Sequence, residues 1–255
     1  MRFQDRVAII TGAGSGIGRA TSEMMVQEGA TVIGVDVNQG GLDSLAVQLH
    51  SAPGAFDPQQ SSALVEEDVQ NAVEEAVSRY GHIDILVNAV GGSTVIANPG
   101  TLIDELSLDD WRALIDFNLT GTFLYCNLVV PVMKAQQSGK IVNLASIAGR
   151  GLSSISSSAY AAAKGGIIAL TRKLSIELGP HGITCNAIAP GITLTERIAA
   201  VWEKTSPERQ QAILANIPLG KLPRAEDQAR VICFLASRDA DFVTGTTIDV
   251  AGGLR

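Results

Sequence analysis

The sequence has few cysteines and few aromatic residues, and the shortage of cysteine excludes some classes of protein. Its three cysteines, Cys126, Cys185 and Cys233, are an odd number without CxxC spacing. That pattern argues against a disulfide framework and against a structural metal site. The three histidines are scattered singly, so no metal is expected. We expect the cysteines to be buried thiols of a reducing compartment, and therefore a cytoplasmic protein.

Excess basic charge and long apolar runs are also missing. There are 19 Lys and Arg residues against 26 Asp and Glu residues, a net charge of −7, so we expect no nucleic-acid partner. No run approaches 18 unbroken apolar residues, and the N-terminus does not resemble a signal peptide, so we expect no membrane association. No linker or repeat divides the 255 residues, of which 46% are hydrophobic. We therefore expect one domain over residues 1–255.

Short apolar runs alternate with helix-length amphipathic segments along the chain. Such alternation predicts an α/β fold, a doubly wound parallel sheet with helices on both faces. Helices are predicted over 17–27 and 68–80, each followed by a glycine stop. The predicted strands are residues 7–10, 31–36, 83–87, 140–144, 183–187 and 246–250.

Two segments interrupt this alternation. Residues 50–62 are rich in Pro, Gly, Ser and Gln where a third strand is expected, and either 55–56 or 63–65 is its candidate remnant. Residues 193–222 contain Pro207 and Pro218 and break the pattern again. Because interruptions of a regular scaffold often carry substrate contacts, we expect a substrate loop at about 193–222.

A glycine-rich turn follows the first strand, with Gly12, Gly16 and Gly18 in the sequence TGAGSGIG. Glycines let the backbone approach a pyrophosphate, which the N–H groups and the positive dipole of a helix start can bind. The strict GxGxxG pattern is not met, and a tight strand–helix corner is the alternative. Asp36 closes the second strand, where a carboxylate can accept ribose hydroxyls. Together, the turn and Asp36 favour a dinucleotide site.

Tyr160 and Lys164 are four residues apart in a helical run and so lie on one helix face. A free phenol has a pKa of about 10, and a neighbouring ammonium is expected to lower it, which would make Tyr160 a usable general acid or base. Ser146 ends the strand before this helix and can donate a hydrogen bond to a substrate oxygen. A YxxxK pair alone is equally consistent with two exposed side chains on the surface of a helix. Its combination with the glycine turn and the strand-end serine favours a catalytic role.

Five further motifs follow along the chain: Asn88-Ala89-Val90-Gly91, Asn118 in DFNL, Ser146 in LASIAG, residues 186–191 (NAIAPG) and residues 243–245 with the glycines at 252 and 253. With these motifs in this order, the sequence resembles the short-chain dehydrogenase/reductase family over nearly its whole length. The resemblance implies the Rossmann-type form of the predicted sheet, and a homo-oligomer, a dimer or a homotetramer.

The resemblance implies a catalytic set of Asn118, Ser146, Tyr160 and Lys164. Lys164 would also hold the nicotinamide ribose, and Asn118 would position a water that relays protons to Lys164. The implied cofactor is NAD. The residues expected to contact it are Gly12, Ser15, Gly16, Ile17, Gly18, Asp36, Asn88, Gly91, Tyr160, Lys164, Ile192 and Thr195.

The sequence departs from the family pattern at three places. The spacing between Ser146 and Tyr160 is one residue longer than is usual in the family. Ala89 and Val90 replace an Asn-Ala pair, so the turn after the central strand is expected to shift. The aspartate beside adenine has no clear equivalent, and Ser62 or Asp57 is its candidate replacement.

The charges of the predicted substrate loop allow two interpretations. Arg197, Lys204 and Arg209 can attract an anionic substrate. The glutamates at 196, 203 and 208 favour instead a mixed-charge segment whose charges face water. Further pocket candidates are residues 92–96, 146–148, 153–158 and 192–219.

Three functions are compatible with these patterns. The leading hypothesis is an NAD-dependent oxidoreductase that interconverts a secondary alcohol and a ketone, a small-molecule substrate. A 3-oxoacyl thioester reductase of the same family is an alternative, but it would normally use NADPH, which Asp36 disfavours. A non-catalytic dinucleotide-binding sensor is the third, although such a protein would often lack the tyrosine or the lysine.

Overall fold

Seven parallel strands form one sheet in a computed structural model that describes residues 1–153 and 155–254. Ser154, in a predicted pocket segment, and Arg255 lie outside the described residues. The spatial order is β3-β2-β1-β4-β5-β6-β7, which confirms the predicted doubly wound α/β fold. The strands are β1 Val7–Thr11, β2 Thr31–Asp36, β3 Ala55–Gln60, β4 Ile85–Asn88, β5 Gly139–Leu144, β6 Ile183–Pro190 and β7 Thr247–Val250.

The α-helices cover both faces of this sheet. The α-helices of the described residues are α1 Gly16–Gln27, α2 Gln39–Leu49, α3 Glu66–Tyr80, α4 Leu108–Ile115, α5 Gly121–Gln136, α6 Ser158–Leu178, α7 Glu196–Trp202, α8 Pro207–Ala215 and α9 Ala225–Ala236. Strand residues alternate between the faces: Ile10 packs with α1, α2 and α9, whereas its neighbour Ile9 packs with α3 and α5.

The third strand is longer than the sequence indicated. β3 runs over six residues, pairs with β2 along its length and places Pro58 opposite Gly34. A proline cannot donate to a sheet ladder, but β3 is at the sheet edge, where one side needs no partner. The remnant at 55–56 was therefore the beginning of a complete strand, and the alternative at 63–65 is wrong.

A crevice opens where the strand order reverses, between β1 and β4. In sheets of this kind ligands bind outside the carboxyl ends of the strands at such a point. The β1–α1 turn and the carboxyl ends of β4, β5 and β6 all meet there. The fold thus brings the predicted site segments to one place.

The run of helix from Leu108 to Gln136 is long and apolar enough to cross a membrane by length and composition alone. Core helices pass the same test, and Tyr125, Val129 and Met133 of this run pack in the core against the sheet. The three cysteines are buried free thiols, as expected.

Candidate active site

A cavity of about 970 Å³ extends from the glycine-rich turn to Tyr160 at the carboxyl end of the sheet. Most of the predicted site residues line it, while the side chains of Asn88 and Asn118 are placed behind its wall. The predicted residues on the wall are Gly12, Ser15, Gly16, Ile17, Gly18, Asp36, Gly91, Ser146, Tyr160, Lys164, Ile192 and Thr195.

The glycine turn is shaped by steric limits. Gly12 and Gly16 have φ angles of +70° and +54°, which favour glycine. A Cβ on Gly18 would lie 2.2 Å from the Gly12 carbonyl oxygen, so only glycine lets α1 start this close to β1. These contacts explain the TGxxxGxG spacing: the turn needs glycine for its own backbone, apart from any ligand.

The amino end of α1 faces the cavity and fits a pyrophosphate. Ser15 precedes the helix without a side-chain capping bond. The Gly16 N–H donates instead to the carboxylate of Glu196, 3.1 Å away. A helix start binds anions in this way, because its N–H groups and dipole are positive there. No pattern in the sequence indicates that Glu196 reaches the turn.

Asp36 is held at the rim of the same cavity. Its carboxylate accepts hydrogen bonds from the Gly14 and Asn38 N–H groups, each at 2.9 Å. The two bonds fix the carboxylate beside the turn, where adenosine ribose hydroxyls would fit. Of the two candidates for the adenine position, Ser62 lines the cavity. Asp57 does not, because it bonds Arg79 and Tyr80 of α3 on the other side of β3.

Ser146, Tyr160 and Lys164 form the opposite wall. Ser146 follows β5 and its Oγ accepts the Ala148 N–H at 3.1 Å. Ser157 caps α6 by accepting the Tyr160 N–H, and the helix begins at Ser158. Tyr160 and Lys164 therefore lie in the first two turns of α6. Lys164 Nζ lies 5.8 Å from the centroid of the Tyr160 ring and donates to the Leu144 carbonyl at 2.7 Å.

The protonation of this pair differs from the expectation. Burial raises the pKa of Tyr160, against a smaller opposing effect of the Ser146 hydroxyl and the Arg197 guanidinium. Burial also lowers the pKa of Lys164 to about 7. The expectation that Lys164 lowers the pKa of Tyr160 is wrong for this arrangement. Its ammonium is directed at the Leu144 carbonyl, and burial leaves it readily deprotonated.

Asn118 is placed by a turn of π-helix, Asp116–Thr120, between α4 and α5. Its side chain is fully buried, and the amide exchanges hydrogen bonds with the backbone N–H and carbonyl of Gly92 at 2.9 and 3.0 Å. A Cβ on Gly91 would lie 2.7 Å from Asn118 Oδ1 and 2.8 Å from Lys164 Nζ. Glycine at 91 therefore lets the Asn118 amide and the Lys164 ammonium approach the same point of backbone.

Asn88 is the one predicted cofactor residue whose side chain points elsewhere. Its Nδ2 donates to Asn143 Oδ1 at 2.9 Å, and Asn143 Nδ2 donates to Thr171 Oγ1 at 3.0 Å. Because Asn88 and Asn143 are paired in the sheet register, both side chains project into the helix layer. The Asn88 side chain belongs to a buried network under the site, and the prediction that Asn88 contacts the cofactor stays a prediction.

The turn after β4 is anchored from β1. Thr11 Oγ1 accepts the N–H groups of Ala89 and Val90 at 3.0 and 3.2 Å. These bonds need only the backbone at 89 and 90, so the departure from the family motif is accommodated. Thr11 and Asn143 were both missed in the sequence, because neither carries a reactive group.

The predicted substrate loop contains α7 and α8 and closes one end of the cavity. Arg197 and Arg209 line the cavity, whereas Lys204 is not among the lining residues. Arg197 Nη1 donates to Thr94 Oγ1 at 3.0 Å across the opening. Both arginines are exposed and also line the cavity, so the two interpretations of these charges hold together: the segment reaches water, and Arg197 and Arg209 stand at the opening of the cavity.

Comparisons with known proteins agree with this geometry. A 3-oxoacyl-[acyl-carrier-protein] reductase of Thermotoga maritima is 39% identical over 254 residues, covering 100% of this chain and 99% of that protein. A 7alpha-hydroxysteroid dehydrogenase of Bacteroides fragilis is 36% identical, covering 99% and 95%. The solved structure of a 7 alpha-hydroxysteroid dehydrogenase complexed with NADH and 7-oxo glycochenodeoxycholic acid superposes with a TM-score of 0.90 at 30% identity, covering 99% and 95%.

The family model described as enoyl-(acyl carrier protein) reductase matches residues 12–255, from the glycine turn to the last residue. These relatives are dehydrogenases and reductases, and the family uses nicotinamide dinucleotides. With the matched fold, the glycine turn and the serine, tyrosine and lysine on one cavity wall, the chain belongs to the short-chain dehydrogenase/reductase family of oxidoreductases.

Proposed function

We propose that the chain is an NAD(H)-dependent dehydrogenase that interconverts a secondary alcohol and a ketone, with Tyr160 as general acid/base. The observation that carries the proposal is one continuous cavity with Ser146, Tyr160 and Lys164 on one wall and the glycine turn on the other. A substrate oxygen beside Tyr160 and a dinucleotide on the turn would share that space. The alternative of a non-catalytic sensor has no comparable support, since both the tyrosine and the lysine face the cavity.

The residues that would hold the dinucleotide each have a matching chemistry. Ser15–Ile17 offer backbone N–H groups at a helix start, and Asp36 offers a fixed carboxylate to ribose hydroxyls. Gly91, Ile192 and Thr195 also line the cavity; Gly91 lies beside Lys164, and Thr195 lies against Gly16 of the turn. When bound, the nicotinamide supplies the hydride acceptor or donor.

The chain's own residues would move the proton and position the substrate oxygen. In alcohol oxidation the Tyr160 phenol would first pass its own proton to the neutral Lys164 amine or to water, and the phenolate would then accept the hydroxyl proton; in ketone reduction the phenol would donate its proton to the substrate oxygen and be reprotonated by the same route. Ser146 donates a hydrogen bond to the same substrate oxygen. Lys164, with a pKa near 7, exchanges protons readily at neutral pH, and Asn118 holds the Gly91–Gly92 backbone beside it. We retain Asn118, Ser146, Tyr160 and Lys164 as the proposed catalytic set.

Replacing Tyr160 by Phe tests this assignment. We expect Tyr160→Phe to lower kcat at least 100-fold, because general acid–base catalysis contributes about 10²–10⁴-fold. NADH affinity, measured by fluorescence, should change less than twofold, since the phenol carries a proton and does not anchor the cofactor. Tyr80→Phe is the matched control, because Tyr80 bonds Asp57 outside the cavity. If Tyr160→Phe retains a tenth of the rate, the role of Tyr160 is wrong.

We propose NAD rather than NADP as the cofactor because of Asp36. The 2′-phosphate of NADP would stand near this carboxylate, and two like charges about 4 Å apart repel by about 4 kcal/mol at an effective dielectric of 20. Half of that energy is more than tenfold in affinity. Among the described residues that line the cavity, the cations are Lys164, Arg197 and Arg209, and Lys164 and Arg197 lie at the catalytic end.

Asp36→Ala should shift the NAD+ to NADP+ ratio of kcat/KM at least tenfold toward NADP+. Asp43→Ala, an exposed carboxylate of α2 that bonds Gln39, serves as the control. Equal use of the two cofactors by the wild type, or an unchanged ratio in Asp36→Ala, would remove Asp36 from the site.

A second candidate function is reduction of a 3-oxoacyl thioester, favoured by the 39% identity to a 3-oxoacyl-[acyl-carrier-protein] reductase. The two functions separate in one comparison: cyclohexanone with NADH against acetoacetyl-CoA with NADPH. Single-turnover hydride transfer with either pair also separates an enzyme from a sensor.

We further propose that the chain works as one domain with a substrate loop at about 193–222, as a cytoplasmic homo-oligomer, a dimer or a tetramer. Exposed apolar side chains such as Phe242, Phe123 and Leu108 support association with a second copy. The three buried free thiols fit a reducing compartment. Light scattering on the purified chain measures the assembly.

A further inference from the structure

The cavity carries an uneven distribution of charge. Its two acidic lining residues, Asp36 and Glu196, both bond N–H groups of the glycine turn and so lie at the cofactor end. Arg197 and Arg209 line the cavity from the substrate loop. Positive charge facing a substrate cavity contrasts with the net charge of −7 for the whole chain. A cavity lined by one sign of charge concentrates ligands of the other sign.

Arg197 stands directly beside the proposed catalytic residues. A Cβ on Gly92 would lie 3.1 Å from its Nη2, so the guanidinium covers the backbone that Asn118 holds. Burial raises the pKa of the Tyr160 phenol, and the nearby charge of Arg197 opposes a small part of that rise. A group bound by Arg197 would therefore be close to a substrate oxygen bound at Tyr160.

The guanidinium has donors to spare. Of its five N–H donors, one bonds Thr94 Oγ1 at 3.0 Å. Within the described residues, no carboxylate lies within 4.0 Å of Arg197 or of Arg209. Neither arginine is therefore neutralised by an ion pair with the chain, as a structural arginine at this place would be.

The rest of this end of the cavity is mainly apolar, with smaller hydroxyl groups between the apolar side chains. The apolar lining residues are Val201, Trp202 and Ile213 of the loop helices with Ile155 and Ile192, and the hydroxyl groups include those of Ser93 and Thr205. The walls suit a compact hydrocarbon body with one charged end, since planar guanidinium groups match carboxylates in a bidentate manner.

We propose, resting on the function above, that the substrate is a secondary hydroxy acid or the matching keto acid, whose carboxylate binds Arg197 with Arg209 adding charge. Arg197 is thus a specificity-determining residue, and neutral alcohols of the same shape are poor substrates. The same guanidinium chemistry would also bind a phosphate, so the experiment includes an arm for each anion.

The probes are 4-hydroxycyclohexanecarboxylate and its methyl ester, which have the same secondary alcohol but differ in charge. The wild type should show an acid-to-ester ratio of kcat/KM of at least 10. Arg197→Met should lower that ratio at least tenfold, mainly through KM for the acid, and Arg197→Lys should restore part of it. Lys204→Met is the matched control, a cation of the same loop that does not line the cavity, and should leave the ratio unchanged.

A binding arm makes the result independent of turnover. Calorimetry should show cyclohexanecarboxylate, which lacks the hydroxyl, binding the wild type saturated with NADH at least tenfold more tightly than it binds Arg197→Met. If no alcohol is oxidised but this binding is seen, the proposed function fails and the anion site stands. If acid and ester are oxidised equally, the proposed function stands and the anion site is overturned.

Two further results would also overturn the proposal. One is a loss of NADH affinity in Arg197→Met with an unchanged acid-to-ester ratio, since Arg197 would then serve the cofactor. The other is dependence on Arg197 for 3-hydroxybutyryl-CoA but not for 4-hydroxycyclohexanecarboxylate, with the uncharged N-acetylcysteamine thioester as reference; the anion would then be a phosphate. Thermal unfolding of each variant confirms that it is folded.

Discussion

The glycine turn and the substrate loop are two walls of the same cavity, but they are held in place differently. Six residues of α1, which follows the turn, are buried, whereas α7 and α8 of the loop have no buried residue. The turn is fixed by backbone contacts that admit no extra atom, and the loop rests on partly buried side chains. The glycine turn is therefore held in place by close backbone packing, whereas the substrate loop is held by fewer and looser contacts. We expect substitutions in the turn to lower the stability of the fold and substitutions in the loop to change substrate selectivity.

Matched glycine substitutions should show the largest difference between the walls. The Cβ of Gly18→Ala would meet the Gly12 carbonyl oxygen at 2.2 Å, so we expect a loss of about 3 kcal/mol or more in the free energy of unfolding. Gly220→Ala, in the loop, has a φ of +66° but no atom within 4 Å of the new Cβ, and should lose about 1 kcal/mol. Urea unfolding measures both. Equal losses would contradict the packing difference.

Matched asparagine substitutions test the same contrast with polar groups. Asn143→Ala leaves Asn88 Nδ2 and Thr171 Oγ1 without their buried partner, which should cost about 2 kcal/mol. Asn216→Ala removes an exposed bond to the Ala212 carbonyl at the end of α8 and should cost at most about 0.5 kcal/mol. An Asn143→Ala loss as small as that of Asn216→Ala would show that water replaces the network.

A pH dependence, smaller per pH unit than the losses expected for Gly18→Ala and Asn143→Ala, originates in the catalytic wall. Lys164 has a pKa of about 7 in the folded chain and about 10.4 when unfolded. Between these values the unfolded chain binds more protons, so stability should rise with pH, by up to about 1.4 kcal/mol per pH unit. Lys164→Met should remove this rise. The free energy of unfolding of the wild type and of Lys164→Met is measured at pH 6.5, 7.5 and 8.5. Parallel profiles of the two proteins would mean that Lys164 is protonated over this whole range.

The sequence predicted the central strands and the main site segments because a buried parallel strand is a short apolar run with clear ends. It underestimated β3, where Pro58 and half-exposed side chains remove that signal and only the edge position makes the proline acceptable. It did not indicate the direction of the Asn88 side chain. A motif identifies a residue, but the direction of its side chain depends on the strand register, which pairs Asn88 with Asn143 away from the cavity.

The substrate loop was the least predictable region, for a related reason. Each glutamate of residues 196–209 is followed by a basic residue, and this pattern is typical of a solvated segment. Which of the charges reach the cavity depends on contacts with distant residues: Glu196 with Gly16, and Arg197 with Thr94. Such contacts have no period in the sequence, so the sequence left two interpretations of these charges open and the structure was needed to show which of them line the cavity.

The π turn that presents Asn118 makes the number of residues between α4 and α5 as important as their identity. A π turn accommodates one residue more than an α-helical turn, and each residue of an α-helix corresponds to a rotation of about 100°. A chain with one residue deleted from Asp116–Thr120 could continue as an unbroken α-helix with α4 and α5 in their present relation, because the wide turn absorbs the extra residue, but it would lose the turn that presents Asn118. A chain with one more residue inserted there would rotate everything before the insertion by that angle, and Trp111 and Leu114 would turn away from Ala159 and Tyr160 of α6, with which they pack. This stretch therefore tolerates changes of side chain far better than added residues.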